Sequence, residues 1–302
     1  MLEAALVAGI CSAGIGVRLA GIIPSPAVAF LTLDEKAAGG AVISASHNPV
    51  DDNGIKFFSA KGLKITGALE DDIEASMESP PTELPVGREV GTSGPLGDAT
   101  DRYVAHLLGS LESSLKGLRV VLDCAYGAAW QVGPRVFRES GADVVAINAE
   151  PDGTRINVDC GSQSLDGLAR VVVAEGADLG LAFDGDADRV LAVDESGSAV
   201  DGDRILALLA TRMHEAGELK NDLVIATVMA NLGFMRAMEK LGIEVVAAPV
   251  GDKFVAEAMA ERGALLGGEQ SGHVIFAGHS TTGDGLLTGL QVAHAVRSSS
   301  ST

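Results

Sequence analysis

The sequence contains few aromatic and few cationic residues. Phe, Trp and Tyr together make up 4% of its 302 residues, although hydrophobic residues make up 47%. Lys and Arg number 22 against 41 Asp and Glu, which gives a formal net charge of -19. Such an acidic chain is not expected to bind nucleic acid non-specifically. An anionic substrate is still compatible with this charge, because salt screens fields beyond roughly 10 Å and local Lys and Arg can bind a phosphate.

Cysteines and long apolar runs are also scarce. The three cysteines, Cys11, Cys124 and Cys160, are widely spaced and form no CxxC pair. An odd number of distant cysteines argues against a disulfide framework and favours a reducing, cytoplasmic location. No apolar run reaches the roughly 18 residues that a membrane-spanning helix needs, so no contact with a membrane is predicted.

Short apolar runs alternate with helical patterns along the whole chain. This alternation predicts an α/β protein made of three consecutive α/β units, with mixed, mostly parallel sheets. We place the units at residues 1–108, 109–200 and 201–302. Residues 79–98 are rich in Gly and Pro, which is typical of a linker. Residues 63–65 are predicted to form a short strand.

The stretch Gly40–Pro49 combines a predicted strand with a small polar turn. The strand covers Ala41–Ile43, and Ser46 follows it at a point where the backbone cannot remain in a sheet. A hydroxyl on a loop at the end of a strand can be presented to a cleft. The same residues also fit an ordinary Ser/Asn/Pro turn that joins two strands. Both interpretations stay open on these residues alone.

A second stretch, Asp184–Arg189, carries three carboxylates at alternate positions. Their hard oxygens suit Mg²⁺, and the planar guanidinium of Arg189 can pair with a phosphate. The pattern also begins like an EF-hand calcium loop, with Glu195 at its twelfth position. However, Arg189 occupies the place where that loop needs Gly, and the flanking residues favour strands. A solvated acidic turn is a further alternative.

These two stretches, together with Gly268–His273, resemble three motifs of the α-D-phosphohexomutase superfamily, in the order of that family. They are similar to its phosphoserine loop, its metal loop and its sugar-recognition loop. The motif ISASHNP at residues 43–49 and Gln270 are most similar to the sequences of bacterial members that act on glucosamine phosphates. The resemblance covers nearly the whole chain. The first strand and the early Arg-bearing loop of domain one, and all of domain four, are expected to be missing.

The resemblance implies an intramolecular phosphotransferase that interconverts glucosamine 6-phosphate and glucosamine 1-phosphate through a phosphoserine at Ser46. It implies one Mg²⁺ per chain, a hexosamine or hexose 1,6-bisphosphate activator, a small-molecule sugar phosphate as ligand, and compatibility with a homodimer. Mannose or glucose phosphates as substrates are one alternative. A fragment that only binds Mg²⁺ and sugar phosphate is another. The expected missing segments would bind the phosphate that does not react, and that binding energy orients the substrate. We therefore expect weak or no turnover from this polypeptide alone.

The resemblance also implies roles for individual residues. The catalytic residues are Ser46, His47, Lys56, Arg189 and His273. The substrate-binding residues are Gly251, Asp252, Lys253, Glu269 and Ser271. The metal ligands are Ser46, Asp184, Asp186 and Asp188.

Each of these assignments has a plainer alternative. Lys56 matches a family lysine that helps to move a hydroxyl proton, which requires a pKa lowered by its neighbours. It also fits a solvated lysine on a strand. His47 fits a turn cap equally well, and 268–273 fits an ordinary Gly-rich loop. For 281–285 we favour a helix N-cap.

Overall fold

The computed structural model describes residues 1–65, 67–79 and 83–298. Within it, the first unit contains two small sheets. Strands β1 and β4 pair in parallel, with Val17 opposite Ser93, and β2 and β3 form an antiparallel hairpin. The hairpin places the Ser46 turn and the start of β3 at the same end. The elements are α1 (Leu2–Ser12), β1 (Val17–Leu19), α2 (Ser25–Asp34), β2 (Gly39–Ile43), β3 (Ile55–Ser59), α3 (Ala68–Glu78) and β4 (Ser93–Pro95), followed by α4 (Ala99–Leu108).

Two local predictions in this unit are wrong. Residues 79–98 are not simply a linker, because they contain a 3₁₀ turn at Gly87–Glu89 and strand β4; residues 80–82 lie outside the described residues. A Cβ at Gly91 would fall 2.1 Å from the Ile15 carbonyl oxygen, so this glycine serves close backbone packing. Residues 63–65 form no strand, since Lys64 makes only an isolated bridge with Phe58.

The second unit is built on a five-stranded mixed sheet in the order β6-β5-β7-β8-β9. Strand β5 is parallel to β6 and β7, whereas β8 is antiparallel to β7 and β9. The turn between β7 and β8 is the acidic stretch. The elements are β5 (Arg119–Asp123), α5 (Ala129–Glu139), β6 (Asp143–Ile147), α6 (Asp166–Glu175), β7 (Leu179–Phe183), β8 (Val190–Asp194) and β9 (Ala199–Val200).

The third unit has a four-stranded sheet in the order β11-β10-β12-β13. Only β13, which is antiparallel to β12, departs from the parallel pattern. The turn between β12 and β13 holds Glu269–His273. The elements are α7 (Gly202–Glu215), β10 (Leu223–Thr227), α8 (Leu232–Leu241), β11 (Glu244–Ala248), α9 (Asp252–Arg262), β12 (Leu266–Gly268), β13 (Val274–Phe276) and α10 (Gly285–Ser298).

One hydrophobic core runs through all three units. It joins Ala27 of the first unit, Leu122 of the second and Leu266 of the third, and α10 lies within it through Leu286 and Leu290. This shared burial holds the loops of different units against one another. The predicted α/β class with mixed, mostly parallel sheets is confirmed. Among the described residues, no helix is long and apolar enough to cross a membrane.

Candidate active site

The serine turn and the acidic turn meet. Ser46 Oγ donates a hydrogen bond of 2.7 Å to Asp184 Oδ2 across 138 residues of sequence. The backbone of Ser46 has φ +56°, a left-handed conformation that is costly for a residue with a Cβ. The side-chain amide of Asn157 donates to the Ser46 carbonyl oxygen at 2.8 Å and helps to hold that conformation.

Gly185 permits this close approach. A Cβ at Gly185 would lie 2.6 Å from the Ser46 carbonyl oxygen, which is closer than real Cβ contacts. On its other side, the Ala128 N–H donates to the Gly185 carbonyl at 2.8 Å. The glycine between the first two aspartates is therefore required by backbone packing.

The three aspartates form a buried cluster. Their exposed fractions are 0% for Asp184, 2% for Asp186 and 3% for Asp188, so the alternative of a solvated turn is wrong. The EF-hand alternative is also wrong, because antiparallel strands flank the turn. One oxygen from each carboxylate lies within 4.8 Å of the others. Asp186 Oδ1 and Asp188 Oδ1 are buried without a hydrogen-bond partner. Unpartnered buried carboxylate oxygens fit a hard divalent cation such as Mg²⁺.

Two lysines of the first unit approach this cluster. Lys56 Nζ lies 2.5 Å from Asp186 Oδ2 and 3.2 Å from Asp188 Oδ2. Lys64 Nζ lies 3.8 Å from the same Asp188 oxygen and also pairs with Asp252 of α9. Burial alone would lower the pKa of Lys56, but Asp188 and Asp186 outweigh it and raise that pKa. These neighbours keep Lys56 a cation and do not supply the lowered pKa that proton transfer requires.

The carboxylates themselves differ in their preference for a proton. Burial raises the pKa of Asp184 well above its usual range, and the charges of Asp188 and Asp186 add to the increase. Burial would also raise the pKa of Asp188, but His273 and Lys56 hold it well below the usual range. A bound cation would favour the charged form of every member of this cluster.

His47 lies beside the serine hydroxyl. Its Nδ1 is 3.4 Å from Ser46 Oγ. Burial lowers the pKa of His47, and the charge of Arg189 lowers it further. Arg189 Nε lies 3.8 Å from Asp188 Oδ1 and is buried without a hydrogen-bond partner. An unpartnered guanidinium N–H beside the acidic cluster can donate a hydrogen bond to an oxyanion such as phosphate.

His273 connects the third unit to the acidic turn. It is 1% exposed, and its Nε2 accepts a hydrogen bond of 3.0 Å from the Gly283 N–H. Its proton is therefore carried on Nδ1, which lies 3.7 Å from Asp188 Oδ1. The predicted N-cap is confirmed, because Asp284 accepts from the Leu287 N–H at the start of α10.

The predicted substrate-binding residues are only partly gathered. Glu269 Oε1 accepts from the Gly251 N–H at 3.1 Å, and Asp252 joins the cluster through Lys64. Ser271 Oγ is buried without a partner. Lys253 is exposed: its Nζ lies 5.1 Å from the centre of the Phe254 ring, and its backbone N–H donates to Asp252 Oδ1 at 2.8 Å.

Sequence reasoning overlooked three residues of this site. They are Ser25, which contacts Asp186, Lys64, which bridges Asp188 and Asp252, and Asn157, which holds the serine turn. Ser25 had the pattern of a helix start and Lys64 that of a strand. No local pattern marks any of them, because each acquires its partner only through the packing of distant segments.

Comparisons with known proteins cover nearly the whole chain. Three family models match in order. They are phosphoglucomutase/phosphomannomutase alpha/beta/alpha domain I at residues 1–83, domain II at 101–197 and domain III at 201–302. The chain is 52% identical to the phosphoglucosamine mutase of Acetivibrio thermocellus, over 99% of this chain and 67% of that protein. It is 55% identical to that of Rhodococcus opacus, over 97% and 66%.

A solved structure agrees with these matches. The phosphoglucomutase/phosphomannomutase family protein of Burkholderia thailandensis aligns with a TM-score of 0.86 at 27% identity, over 99% of this chain and 66% of that one. The chain thus spans about two thirds of the length of the relatives that it matches. The matches extend through all three units, including the two that carry the serine turn and the acidic turn. The chain therefore belongs to the phosphoglucomutase/phosphomannomutase family.

Proposed function

We propose that the protein is a phosphosugar mutase that interconverts glucosamine 6-phosphate and glucosamine 1-phosphate. The observation that carries the proposal is the 2.7 Å hydrogen bond between Ser46 Oγ and Asp184. It joins a nucleophile to a buried acidic cluster, which is what a phosphoserine neutralised by a cation requires. The names of the curated relatives, phosphoglucosamine mutase in each case, support this substrate.

The aspartate cluster would hold one Mg²⁺. Asp184, Asp186 and Asp188 supply carboxylate oxygens, and an oxygen carried by Ser46 is the further ligand. When bound, the cation neutralises negative charge on the phosphoryl group. The unpartnered Oδ1 atoms of Asp186 and Asp188 support this assignment.

Ser46 would carry the phosphoryl group between turnovers. The bond from phosphorus to Ser46 Oγ breaks as a bond to a sugar hydroxyl oxygen forms, and the proton of that hydroxyl passes to a basic group of the site. The bisphosphorylated sugar then turns over and returns its other phosphoryl group to Ser46 Oγ. Arg189 orients the phosphoryl oxygens, since its buried Nε has no other partner. A hexose 1,6-bisphosphate would load Ser46 by the same transfer in reverse.

Lys56, His47 and His273 complete the proposed catalytic set. Lys56 provides positive charge next to the transferred group, because the surrounding aspartates hold it as a cation. His47 Nδ1 lies 3.4 Å from Ser46 Oγ, so His47 places an imidazole beside the transferred group. His273 Nε2 accepts from the Gly283 N–H, so only Nδ1 is left to face Asp188. It lies 3.7 Å from Asp188 Oδ1, where His273 would help to position that carboxylate.

Sugar recognition is assigned to the loops of the third unit. Glu269 and Ser271 would contact the sugar hydroxyls, and Gly251, Asp252 and Lys253 would line the side where the second phosphate lies. Within this assignment, Gln270 does not face the sugar, because its amide lies 3.4 Å from the buried Asp203. The unit bounds at 108 and 200, the cytoplasmic location and the homodimer stay predictions.

The test is phosphoryl transfer to Ser46, measured by intact mass. Incubation of the chain with a hexose 1,6-bisphosphate and Mg²⁺ should add one phosphoryl group, about 80 Da. The gain should be absent from Ser46→Ala and retained in Ser76→Ala, a control at an exposed serine of α3 whose hydroxyl donates only to the Asp72 carbonyl. A gain that persists in Ser46→Ala would refute the assignment of Ser46.

A substrate panel then distinguishes the alternatives. Glucosamine, mannose and glucose 6-phosphates are compared by the rate of 1-phosphate formation, with a full-length relative as the positive control. A preference for glucosamine phosphate supports the proposal, and a preference for mannose or glucose phosphate replaces it with the first alternative. Uptake of the phosphoryl group without any turnover identifies the binding-only alternative.

A further inference from the structure

Ser25 makes two hydrogen bonds to Asp186. Its backbone N–H donates to the Asp186 carbonyl oxygen at 2.9 Å, and its hydroxyl donates to Asp186 Oδ2. Ser25 lies in the first unit, 161 residues away in sequence, and is 1% exposed. Ser25 thus fixes Asp186 at two points, because its N–H binds the backbone carbonyl and its hydroxyl binds the side-chain carboxylate.

The local sequence makes Ser25 a rigid partner. Pro24 and Pro26 stand on either side of it, and each proline ring fixes its own φ near −65°. Ser25 is also the first residue of α2, a helix of 10 residues. The positive end of the helix dipole therefore lies beside Asp186 and favours negative charge there. The hydroxyl of Ser25 consequently approaches Asp186 in one orientation.

The two oxygens of Asp186 have different surroundings. Oδ2 accepts from the Ser25 hydroxyl and from Lys56 Nζ, at 2.5 Å for the lysine. Oδ1 is buried and has no hydrogen-bond partner. Ser25 and Lys56 thus engage one oxygen and leave the other free. Lys56 alone would not fix this choice, because a flexible ammonium can follow either oxygen as the carboxylate rotates.

We propose that Ser25 is a positioning residue that locks the Asp186 carboxylate so that Oδ1 is presented to the divalent cation. This inference rests on the metal centre in the proposed function and adds a residue to it. Loss of a group that orients a metal ligand typically weakens metal affinity by about 10- to 100-fold. Removal of the Ser25 hydroxyl should therefore weaken cation binding without removing any ligand.

Mn²⁺ binding to the full, unphosphorylated chain tests the inference. The free Mn²⁺ signal in electron paramagnetic resonance gives Kd directly, without any need for turnover. Ser25→Ala should raise Kd by about tenfold or more. Ser25→Thr, which keeps the hydroxyl, should bind within about threefold of the unsubstituted chain. Ser140→Ala is the matched control, because Ser140 is also a buried serine, yet its hydroxyl donates to Phe137 in α5.

The outcomes separate the two proposals. If Ser25→Ala binds Mn²⁺ as tightly as the unsubstituted chain, the positioning role is wrong and the metal centre stands. If the unsubstituted chain does not bind Mn²⁺, or binds it equally after Asp186→Asn, the metal centre is wrong and the role of Ser25 falls with it. If Ser25→Ala does not fold, as judged by circular dichroism, Ser25→Cys is measured against the same tenfold criterion, since a thiol is a weak donor.

Discussion

Gly185 packs against the backbone of Ser46: a Cβ at position 185 would be 2.6 Å from the Ser46 carbonyl oxygen. The acidic turn and the serine turn therefore touch through backbone atoms as well as through the Ser46–Asp184 hydrogen bond. Because backbone contacts cannot be relieved by a change of rotamer, the distance between nucleophile and carboxylates depends on this glycine. The aspartate cluster and the serine turn therefore form one packed unit.

Gly185→Ala should separate the two turns. The added methyl group displaces the Ser46 carbonyl, and the rate of phosphoryl uptake from a hexose 1,6-bisphosphate should fall by about 10²-fold, the cost of a displacement near 1 Å. Intact mass over time measures the rate. Gly153→Ala is the control, since no atom lies within 4 Å of the position that its added methyl group would occupy. Equal rates for the two variants would contradict the packing argument.

Asn157→Asp should loosen the serine turn. The substitution keeps the shape of the side chain but places a carboxylate oxygen against the Ser46 carbonyl, in place of the donor that now lies 2.8 Å away. We expect a loss of about 1–3 kcal/mol in the free energy of unfolding. Amide hydrogen exchange should become faster at residues 44–48. Asn221→Asp is the control, because Asn221 has a similar φ of +61° and is exposed. Unchanged exchange at 44–48 would show that Asn157 does not hold the turn.

Gly283→Ala should disturb His273. A Cβ at Gly283 would fall 2.3–2.5 Å from three atoms of the buried His273 ring. The ring must move, so we expect about 1–3 kcal/mol lower stability in denaturant unfolding. Gly278→Ala, with no atom within 4 Å, should stay close to the unsubstituted chain. Equal stabilities for the two variants would mean that the ring has room to yield.

Asp284→Asn should change how stability depends on pH. Asp284 is fully buried beside the Tyr103 hydroxyl, and burial raises its pKa to about 6. Between roughly pH 4 and pH 6 the carboxyl ionises in the unfolded chain before it does so in the folded chain, so the free energy of unfolding falls as pH rises. The fall is at most about 3 kcal/mol and should be absent from Asp284→Asn.

Denaturant unfolding of both chains from pH 4 to pH 7 measures this difference. The stability of the unsubstituted chain relative to Asp284→Asn should decrease across the window and then level off above about pH 6. Asp51→Asn, at an exposed position, is the control and should run parallel to the unsubstituted chain. Parallel curves for Asp284→Asn as well would show that the buried carboxyl is not linked to folding.

The sequence by itself was sufficient for the α/β class, for most helices and strands, and for the two turns that carry Ser46 and the aspartates. These features follow from local patterns: apolar runs mark buried strands such as Leu179–Phe183, and the polar turns follow directly from the strand ends. Strand β13 escaped prediction because it is only three residues long and follows a Gly-rich turn. The stretch near Gly91 resembles a linker in sequence, because glycine is common both in flexible linkers and where two backbones pack closely together.

Tertiary structure alone decided which side chains meet. The spacing of Asp184, Asp186 and Asp188 did not show that Oδ1 of the latter two would be buried without a partner. Nor did any local pattern reveal that Ser25 hydrogen-bonds Asp186 or that Lys64 pairs with Asp252. These contacts depend on how the three units share one hydrophobic core. Local propensity acts over a few neighbouring residues, whereas burial and charge pairing act wherever the folded chain brings groups together.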